Sequence, residues 1–248
     1  MIIDAHSHLG KDVIFDCEHT EEYLLEKNRK YGIGGGIVQP FVGRPYIEET
    51  EEYHNRIFRF CQENKNYWGM ASINPHFRHE EYYEEARRCV QELGFVGLKL
   101  TPVSHSVNPE SEDGLFAFET ARALHVPVMV HTGYGLPFSD PAKLKKAAIQ
   151  YPDVTMIIAH LGSGLMATQA IWLAKEFQQV YLEPSGCGIG ETYSALNELN
   201  GKKVMFSSDS PLQIPTELAK YRTILEEHPE WEEDIFHGSV QDAFRLKI

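Results

Sequence analysis

The sequence is poor in cysteine and in basic residues. Its cysteines are widely spaced and form no CxxC pair, which excludes a zinc ribbon and a thiol redox motif. Lysine and arginine number 23 against 36 acidic residues, so the formal net charge is −13. No cluster of about five to eight basic residues occurs, and we therefore expect no nucleic acid partner, because binding to phosphates needs a basic surface. The four cysteines are Cys17, Cys61, Cys89 and Cys187.

Long apolar segments are missing as well. No apolar run approaches the roughly 18 residues that a membrane helix needs, so we expect no membrane-spanning segment. The N-terminus lacks a basic stretch followed by an apolar run and a cleavage site, which predicts a mature cytoplasmic protein with reduced thiols. The motifs GxSxG and GxGxxG are absent, which argues against serine hydrolase chemistry and a dinucleotide site.

Apolar strand-like runs alternate with helical patterns along the whole chain. Runs rich in Val, Ile and Met are typical of parallel strands buried on both faces, and the helical patterns between them have the length of βαβ crossovers. In 248 residues, eight such units leave no room for a second domain. The sequence therefore predicts an α/β fold, a single-domain (β/α)8 TIM barrel over residues 1–248. The predicted strands are Met1–His8, Gly34–Gln39, Trp68–Asn74, Val96–Thr101, Val126–Thr132, Val154–Leu161, Val180–Pro184 and Val204–Ser208. The predicted helices are His19–Lys30, Glu48–Glu63, Arg78–Leu93, Gly114–Leu124, Pro141–Gln150, Leu165–Phe177, Thr192–Leu199 and Glu217–Glu227.

The first predicted strand ends in an HxH pair within the opening sequence MIIDAHSHLG. Asp4, His6 and His8 have the same parity, so we expect a regular strand to send all three side chains to one face. An HxH pair alone is a weak indication of a metal site, since polar residues are common where a strand meets a loop.

Residues of metal-binding types recur at the ends of the other predicted strands. In an α/β barrel these ends meet at one mouth, where the active site lies. Four imidazoles and a carboxylate at one mouth suit zinc, manganese or iron better than calcium, which prefers oxygen ligands. The other histidines fall in helices or loops, and of these only His76 and His105 follow a strand closely enough to reach the mouth. The strand-end residues are His6, His8, Lys99, His131, His160, Glu183 and Asp209.

The motifs DAHSH, GLKL, VHTG, AHLG and SSDSP occur in this order over nearly the whole chain. They resemble the amidohydrolase superfamily, most closely its "amidohydrolase 2" branch of metal-dependent hydrolases and decarboxylases. The resemblance implies that His6 and His8 bind one ion together with Asp209, and that Asp209 also takes a proton from the attacking water. His131 is implied to bind metal too.

The resemblance leaves two forms of the metal site open. In the binuclear form, a carboxylated Lys99 bridges two ions and His131 and His160 hold the second ion. In the mononuclear form, His131 joins the first ion and His160 polarises water or substrate. A lysine ammonium about 4 Å from a divalent ion would be repelled by roughly 8 kcal/mol at an effective dielectric of 20, so Lys99 must be carboxylated, neutral or directed toward the substrate. We expect one or two divalent ions, zinc first and manganese or iron as alternatives, and favour the binuclear form.

These residues predict a metal-dependent hydrolase. Bound metal lowers the pKa of water to about 7, and Asp209 beside it can act as general base and then as general acid. Hydrolysis of an amide, lactone, ester or phosphoester of a small molecule fits this arrangement. A non-oxidative decarboxylase of a small aromatic or unsaturated acid is the first alternative, and a catalytically silent metal-binding barrel is the second.

The substrate contacts are expected in the loops that follow the strands. Arg44 can bind a carboxylate through two hydrogen bonds. Tyr134 and Tyr46 are further candidates for substrate contact in these loops. Glu183 is expected either to hydrogen-bond a ligand histidine or to contact the substrate. The expected partner is a small-molecule substrate, with association of several copies of the chain left open.

Overall fold

A computed structural model describes residues 1–12, 16–41, 46–134 and 137–247 of the chain. The strands are β1 (Ile2–His8), β2 (Gly10–Asp12), β3 (Cys17–His19), β4 (Ile33–Gln39), β5 (Tyr67–Gly69), β6 (Ala71–Ser72), β7 (Leu98–Leu100), β8 (Val128–His131), β9 (Met156–Ala159) and β10 (Val180–Glu183). The parallel strands pair in the orders β1-β4-β5 and β10-β9-β8-β7-β6, and β2 and β3 form a separate antiparallel hairpin. The helices are α1 (Glu21–Tyr31), α2 (Ile47–Glu63), α3 (His79–Gln91), α4 (Pro102–His105), α5 (Glu112–Leu124), α6 (Lys145–Gln150), α7 (Ala167–Glu176), α8 (Ile189–Glu198), α9 (Ile214–Glu227) and α10 (Ser239–Phe244).

Backbone hydrogen bonds join the two groups of parallel strands into a closed barrel. β5 and β6 together form its third strand, because the N–H of Met70 bonds to Val38 on one side and the N–H of Ala71 bonds to Gly97 on the other. Residues 204–208 close the barrel between β10 and β1, where Met205 donates to Leu182. These contacts confirm the predicted (β/α)8 barrel.

The predicted eighth strand, Val204–Ser208, is less regular than expected. It forms a single bridge from Val204 to Leu182 instead of a continuous ladder. The N–H of Phe206 donates to the carbonyl of Ile235, outside the barrel strands, and this removes a donor from the ladder. The segment is nevertheless tied to β1, because Ala5 donates to the carbonyl of Phe206 at 3.0 Å.

Apolar side chains pack both inside the barrel and between the barrel and its helices. Ile37, Met129, Ile157 and Met205 fill the interior, while their sequence neighbours on each strand pack outward against the helices. This alternation follows from the period of two in a strand. It leaves the last inward positions of the strands for the polar residues of the mouth. Among the helices of the described residues, none has the length and apolar character to cross a membrane.

The region after the first strand differs from the prediction in two ways. The hairpin of β2 and β3 was not expected, and it takes His19 out of the predicted first helix. Helix α1 instead begins at Glu21, because the hydroxyl of Thr20 caps it by accepting a hydrogen bond from the N–H of Tyr23. The pairing of β1 with β4 also shifts between Asp4 and Ser7, and this irregularity breaks the parity on which the common face was predicted.

Candidate active site

Three predicted metal ligands converge at the mouth of the barrel. The Nε2 atoms of His6 and His8 lie 3.1 Å apart, and Oδ1 of Asp209 lies 3.3 Å from each. Asp209 reaches this position through a left-handed backbone conformation with φ 60°, and its N–H donates to the carbonyl of His6 at 2.8 Å. This long-range backbone bond fixes the carboxylate beside the two imidazoles.

The other nitrogen of each imidazole is held by an acceptor. Nδ1 of His8 donates to the carbonyl of Pro40 at 3.0 Å, and Nδ1 of His6 donates to Oε2 of Glu183 at 2.8 Å. With their protons on Nδ1, both neutral rings direct an Nε2 lone pair toward Asp209. Three lone-pair donors this close together require a positive charge between them. The set of two imidazoles and one carboxylate, with the rings oriented from behind, fits a divalent cation.

Glu183 lies behind the ligands and away from the cavity. Its carboxylate is fully buried, and Oε1 accepts hydrogen bonds from the N–H of Ser185 and the hydroxyl of Ser207. Burial alone would raise the pKa of Glu183, but the hydrogen bonds that its carboxylate accepts from His6 and Ser185 lower the pKa below its ordinary range. Of the two contacts expected for Glu183, the structure shows the one with His6, a predicted ligand.

His131 and His160 lie side by side next to these ligands. Their ring centroids are 4.7 Å apart, and the rings of His160 and His6 are 5.2 Å apart. Nδ1 of His160 lies 3.2 Å from the carbonyl of Ser185, which places the proton on Nδ1 and the lone pair on Nε2. Burial is the main cause that lowers the pKa of His131 to about 2, and the charge of Lys99 acts in the same direction. The ring of His131 is therefore available as a neutral base or ligand.

Lys99 is the cation nearest to the three ligands in the described part of the chain. It is buried, and its Nζ donates to Nε2 of His6 at 3.0 Å. Burial lowers the pKa of Lys99 to about 8, although the charges of Asp209 and Glu183 favour the ammonium. The lysine thus occupies the lone pair that a metal would need.

A cavity of about 570 Å³ opens above these residues. Its polar floor includes His8, Lys99, His131, His160 and Asp209, and its wall includes Phe41, Val103 and Tyr134. A volume of this size accommodates a small organic molecule. The ring of Phe41 stacks on that of His8, with centroids 4.7 Å apart and planes 10° from parallel.

The remaining predicted residues lie at or beyond the edge of the cavity. Tyr134 stands at the rim with 66 % of its surface exposed, and Tyr46 precedes α2 outside the cavity lining. Arg44 falls outside the described residues. His76 pairs with Asp113 and is not part of the lining.

The tertiary structure corrects the expected positions of two polar residues. Asp4 is not directed at the ligands: its carboxylate accepts hydrogen bonds from the N–H and hydroxyl of Ser208, so the expected common face with His6 is wrong. His19, predicted to lie in a helix, lines the cavity instead, with Nε2 3.5 Å from the hydroxyl of Ser210. Residues 10–12 are Gly, Lys and Asp, without an apolar side chain, so no local pattern in the sequence indicated the hairpin.

Comparison with known proteins places the whole chain in one family. A sequence profile described as amidohydrolase, of the amidohydrolase 2 type, matches residues 3–245. The chain belongs to this amidohydrolase family. A search of curated proteins finds no match. The family resemblance expected from the motifs is thereby confirmed, and this amidohydrolase is a metal-dependent enzyme of the superfamily.

Solved structures with the same fold align with nearly the whole chain. A dihydroxybenzoic acid decarboxylase from Polaromonas sp. JS666 with bound manganese and 2-nitroresorcinol is 18% identical, with 99% and 97% of the two chains covered and a TM-score of 0.78. A 5-carboxyvanillate decarboxylase from Sphingomonas paucimobilis is 10% identical, with 99% of each chain covered and a TM-score of 0.79. An amidohydrolase from Burkholderia multivorans is 10% identical over 100% of both chains, with a TM-score of 0.76.

Proposed function

We propose that this member of the family is a metal-dependent decarboxylase of a small aromatic carboxylic acid. The observation that carries the proposal is the convergence of His6, His8 and Asp209 beside a cavity with an aromatic and apolar wall, where His8 and Asp209 line the floor. Two structures with the same fold are decarboxylases of aromatic acids, and one of these contains manganese. We therefore favour the decarboxylase over the hydrolase that the sequence first indicated.

His6, His8 and Asp209 would hold one divalent ion, since their ligand atoms lie close enough together to share it. When bound, the ion supplies positive charge that attracts the carboxylate of a substrate and stabilises negative charge formed next to it. Manganese is the first choice for a test, and zinc or iron remain alternatives. The carboxylate of Asp209 would be ionised at neutral pH, because a cation held against a carboxylate favours its charged form.

The wall of the cavity fits the flat ring of such a substrate. Phe41 and Val103 provide apolar surface, and Tyr134 adds an aromatic side chain at the rim. Aromatic and apolar side chains bind a planar ring by burying it from water. With the carboxylate at the polar floor, the ring extends toward this wall.

Decarboxylation requires proton transfer at the ring carbon that bears the carboxylate. The carbon–carbon bond breaks, carbon dioxide leaves, and the electron pair stays on the ring carbon, which takes up one proton. His160 is placed to transfer this proton, because Nδ1 is held by Ser185 and Nε2 remains to accept a proton and to return it. Asp209 is the poorer acid, since its carboxylate stays ionised.

Hydrolysis is the second candidate function. One third of the Asp209 side chain is exposed, and its ionised carboxylate lies 3.3 Å from both ligand nitrogens. A carboxylate in this place can take a proton from an attacking water molecule, which is the role expected from the sequence. The two candidates differ in their products.

The proposal is tested by incubating the manganese-loaded enzyme with hydroxylated aromatic acids and, separately, with lactones, esters, amides and phosphoesters. We expect carbon dioxide release from an aromatic acid, abolished by a chelator and restored by manganese. Asp209→Asn and His160→Gln should lose at least about 100-fold in kcat with the circular dichroism spectrum unchanged, because general acid–base catalysis contributes about 100-fold or more. His237→Gln is the control, because His237 is outside the cavity lining and contacts Glu233. Hydrolysis without carbon dioxide release, or full activity in chelator, would refute the decarboxylase.

A further inference from the structure

Lys99 and a metal ion compete for the same lone pair. Nε2 of His6 accepts a hydrogen bond from Nζ of Lys99 at 3.0 Å, while Nδ1 of the same ring is committed to Glu183. An imidazole nitrogen cannot accept this hydrogen bond and bind a cation at the same time. Any ion bound by His6 must therefore displace the lysine side chain.

A displaced Lys99 needs new acceptors inside the barrel. Lys99 is buried, and a buried ammonium without hydrogen-bond partners is strongly unfavourable. Of the fully buried side chains with polar atoms that have no partner among the described residues, two lie on β4 and β6, the strands between β1 and β7. They are Gln39, at both Oε1 and Nε2, and Ser72, at Oγ.

The register of the strands places these side chains on the same side of the barrel as Lys99. Ser72 on β6 is paired with Lys99 on β7, and Gln39 on β4 is paired with the ligand His8 on β1. Gln39 has the parity of Ile37, which packs in the barrel interior, so it is expected to point inward. Unpaired buried polar groups are rare in native proteins and call for a physical explanation.

We propose that Gln39 and Ser72 form a second position for the Lys99 ammonium, which the side chain takes when a cation binds to His6. Nζ of Lys99 then donates hydrogen bonds to Oε1 of Gln39 and Oγ of Ser72 in place of its bond to Nε2 of His6. Lys99 stays uncarboxylated and remains beside the cavity floor, where its charge favours an anionic substrate. The inference rests on the metal centre of the proposed function, and it differs from the carboxylated bridge that the sequence favoured.

The test is a calorimetric titration of manganese into metal-free enzyme with four chains: wild type, Gln39→Leu, Lys99→Met and the double variant. Gln39→Leu should weaken manganese binding about tenfold, because the displaced ammonium loses an acceptor. Lys99→Met should bind manganese at least as tightly as wild type, since no cation has to move. In the Lys99→Met background, Gln39→Leu should have no effect.

Two further variants test whether the weaker manganese binding is specific to the proposed second position of Lys99. Ser72→Ala should weaken manganese binding in the same direction as Gln39→Leu. Thr120→Val, which removes another buried hydroxyl without a partner, lies on α5 and should leave the affinity unchanged.

Three results would overturn the inference, and they are distinguishable. If bicarbonate strengthens manganese binding by wild type and Lys99→Met weakens it, Lys99 is a carboxylated ligand. Equal effects of Gln39→Leu with and without Lys99 would show that the two residues are not coupled. No manganese binding by wild type would refute the metal centre itself.

Discussion

Glu183 is the residue that orients His6 from behind, and it also lies near His160. Its Oε2 lies 2.8 Å from Nδ1 of His6 and 3.9 Å from Nδ1 of His160. A carboxylate in this position keeps the Nε2 lone pair of His6 directed at the metal site and increases the basicity of the ring. Its effect on metal binding is therefore expected to exceed that of an ordinary buried ion pair.

We predict that Glu183→Gln weakens manganese binding about 10- to 100-fold, the usual cost of losing a carboxylate that orients a ligand histidine. Glu85→Gln is a matched control, because Glu85 is also buried and its Oε1 accepts a hydrogen bond from Nδ1 of a histidine, His54. That pair lies on α2 and α3, away from the cavity. Isothermal titration calorimetry on both variants measures the difference, and equal affinities would contradict the orienting role.

Among the elements of the barrel, the loops that follow β8 and β9 are joined by hydrogen bonds. The hydroxyl of Thr132 donates to the carbonyl of Ala159 and accepts from the N–H of Gly162, and the hydroxyl of Ser163 accepts from the N–H of Tyr134. Residues 160–163 all have positive φ, an unfavourable conformation for the three that are not glycine. The hydrogen bonds from the neighbouring loop offset this strain and hold His131 and His160 together.

Gly133 permits this contact between the loops. It has a φ of +119°, and a Cβ at this position would collide with the hydroxyl of Ser163. We predict that Gly133→Ala lowers the free energy of unfolding by about 1–3 kcal/mol more than Gly32→Ala does, because residue 32 has positive φ but nothing within 4 Å of its Cβ position. Urea denaturation of both variants measures this difference. Equal destabilisation would show that only backbone strain matters at Gly133.

In the molecule as a whole, a buried polar cluster ties the barrel to its outer helices. Nε2 of His54 accepts a hydrogen bond from the N–H of Ser72 on β6, and Nδ1 donates to Oε1 of Glu85 at 2.5 Å. Arg88 donates to both oxygens of Glu85. Both nitrogens of His54 are therefore used, and the cluster with Cys89 is explained as a structural contact instead of a metal site.

This cluster predicts a pH dependence of stability. Burial would raise the pKa of Glu85, but the hydrogen bonds from His54 and Arg88 lower the pKa from 4.5 to about 2. A carboxylate with a lowered pKa in the folded state stabilises the protein fully above the unfolded value and progressively less as pH falls toward the folded value. The difference in the free energy of unfolding between wild type and Glu85→Gln should thus be largest above about pH 5 and shrink toward pH 2. Urea denaturation at several pH values tests this, and a difference independent of pH would exclude the ionised carboxylate as its source.

The barrel and the positions of the candidate ligands along it follow from the sequence alone. Parallel strands alternate with helices, and the carboxyl ends of such strands must meet at one mouth, so the sequence pattern is enough to predict that His6, His8 and Asp209 lie together. This part is predictable because strand and helix periods are local properties. The roles of these residues in the site stay predictions until the variants are measured.

Which atoms of these residues face one another depends on the tertiary structure. The contacts of His6 with Lys99 and Glu183 join residues 93 and 177 positions apart, and no local pattern encodes such distances. The shift in the pairing of β1 removed Asp4 from the ligands, and the hairpin brought His19 to the cavity. An irregularity in strand pairing depends on the neighbouring strand, and the contacts of a side chain depend on the residues that pack around it. Both are therefore determined only when the barrel closes.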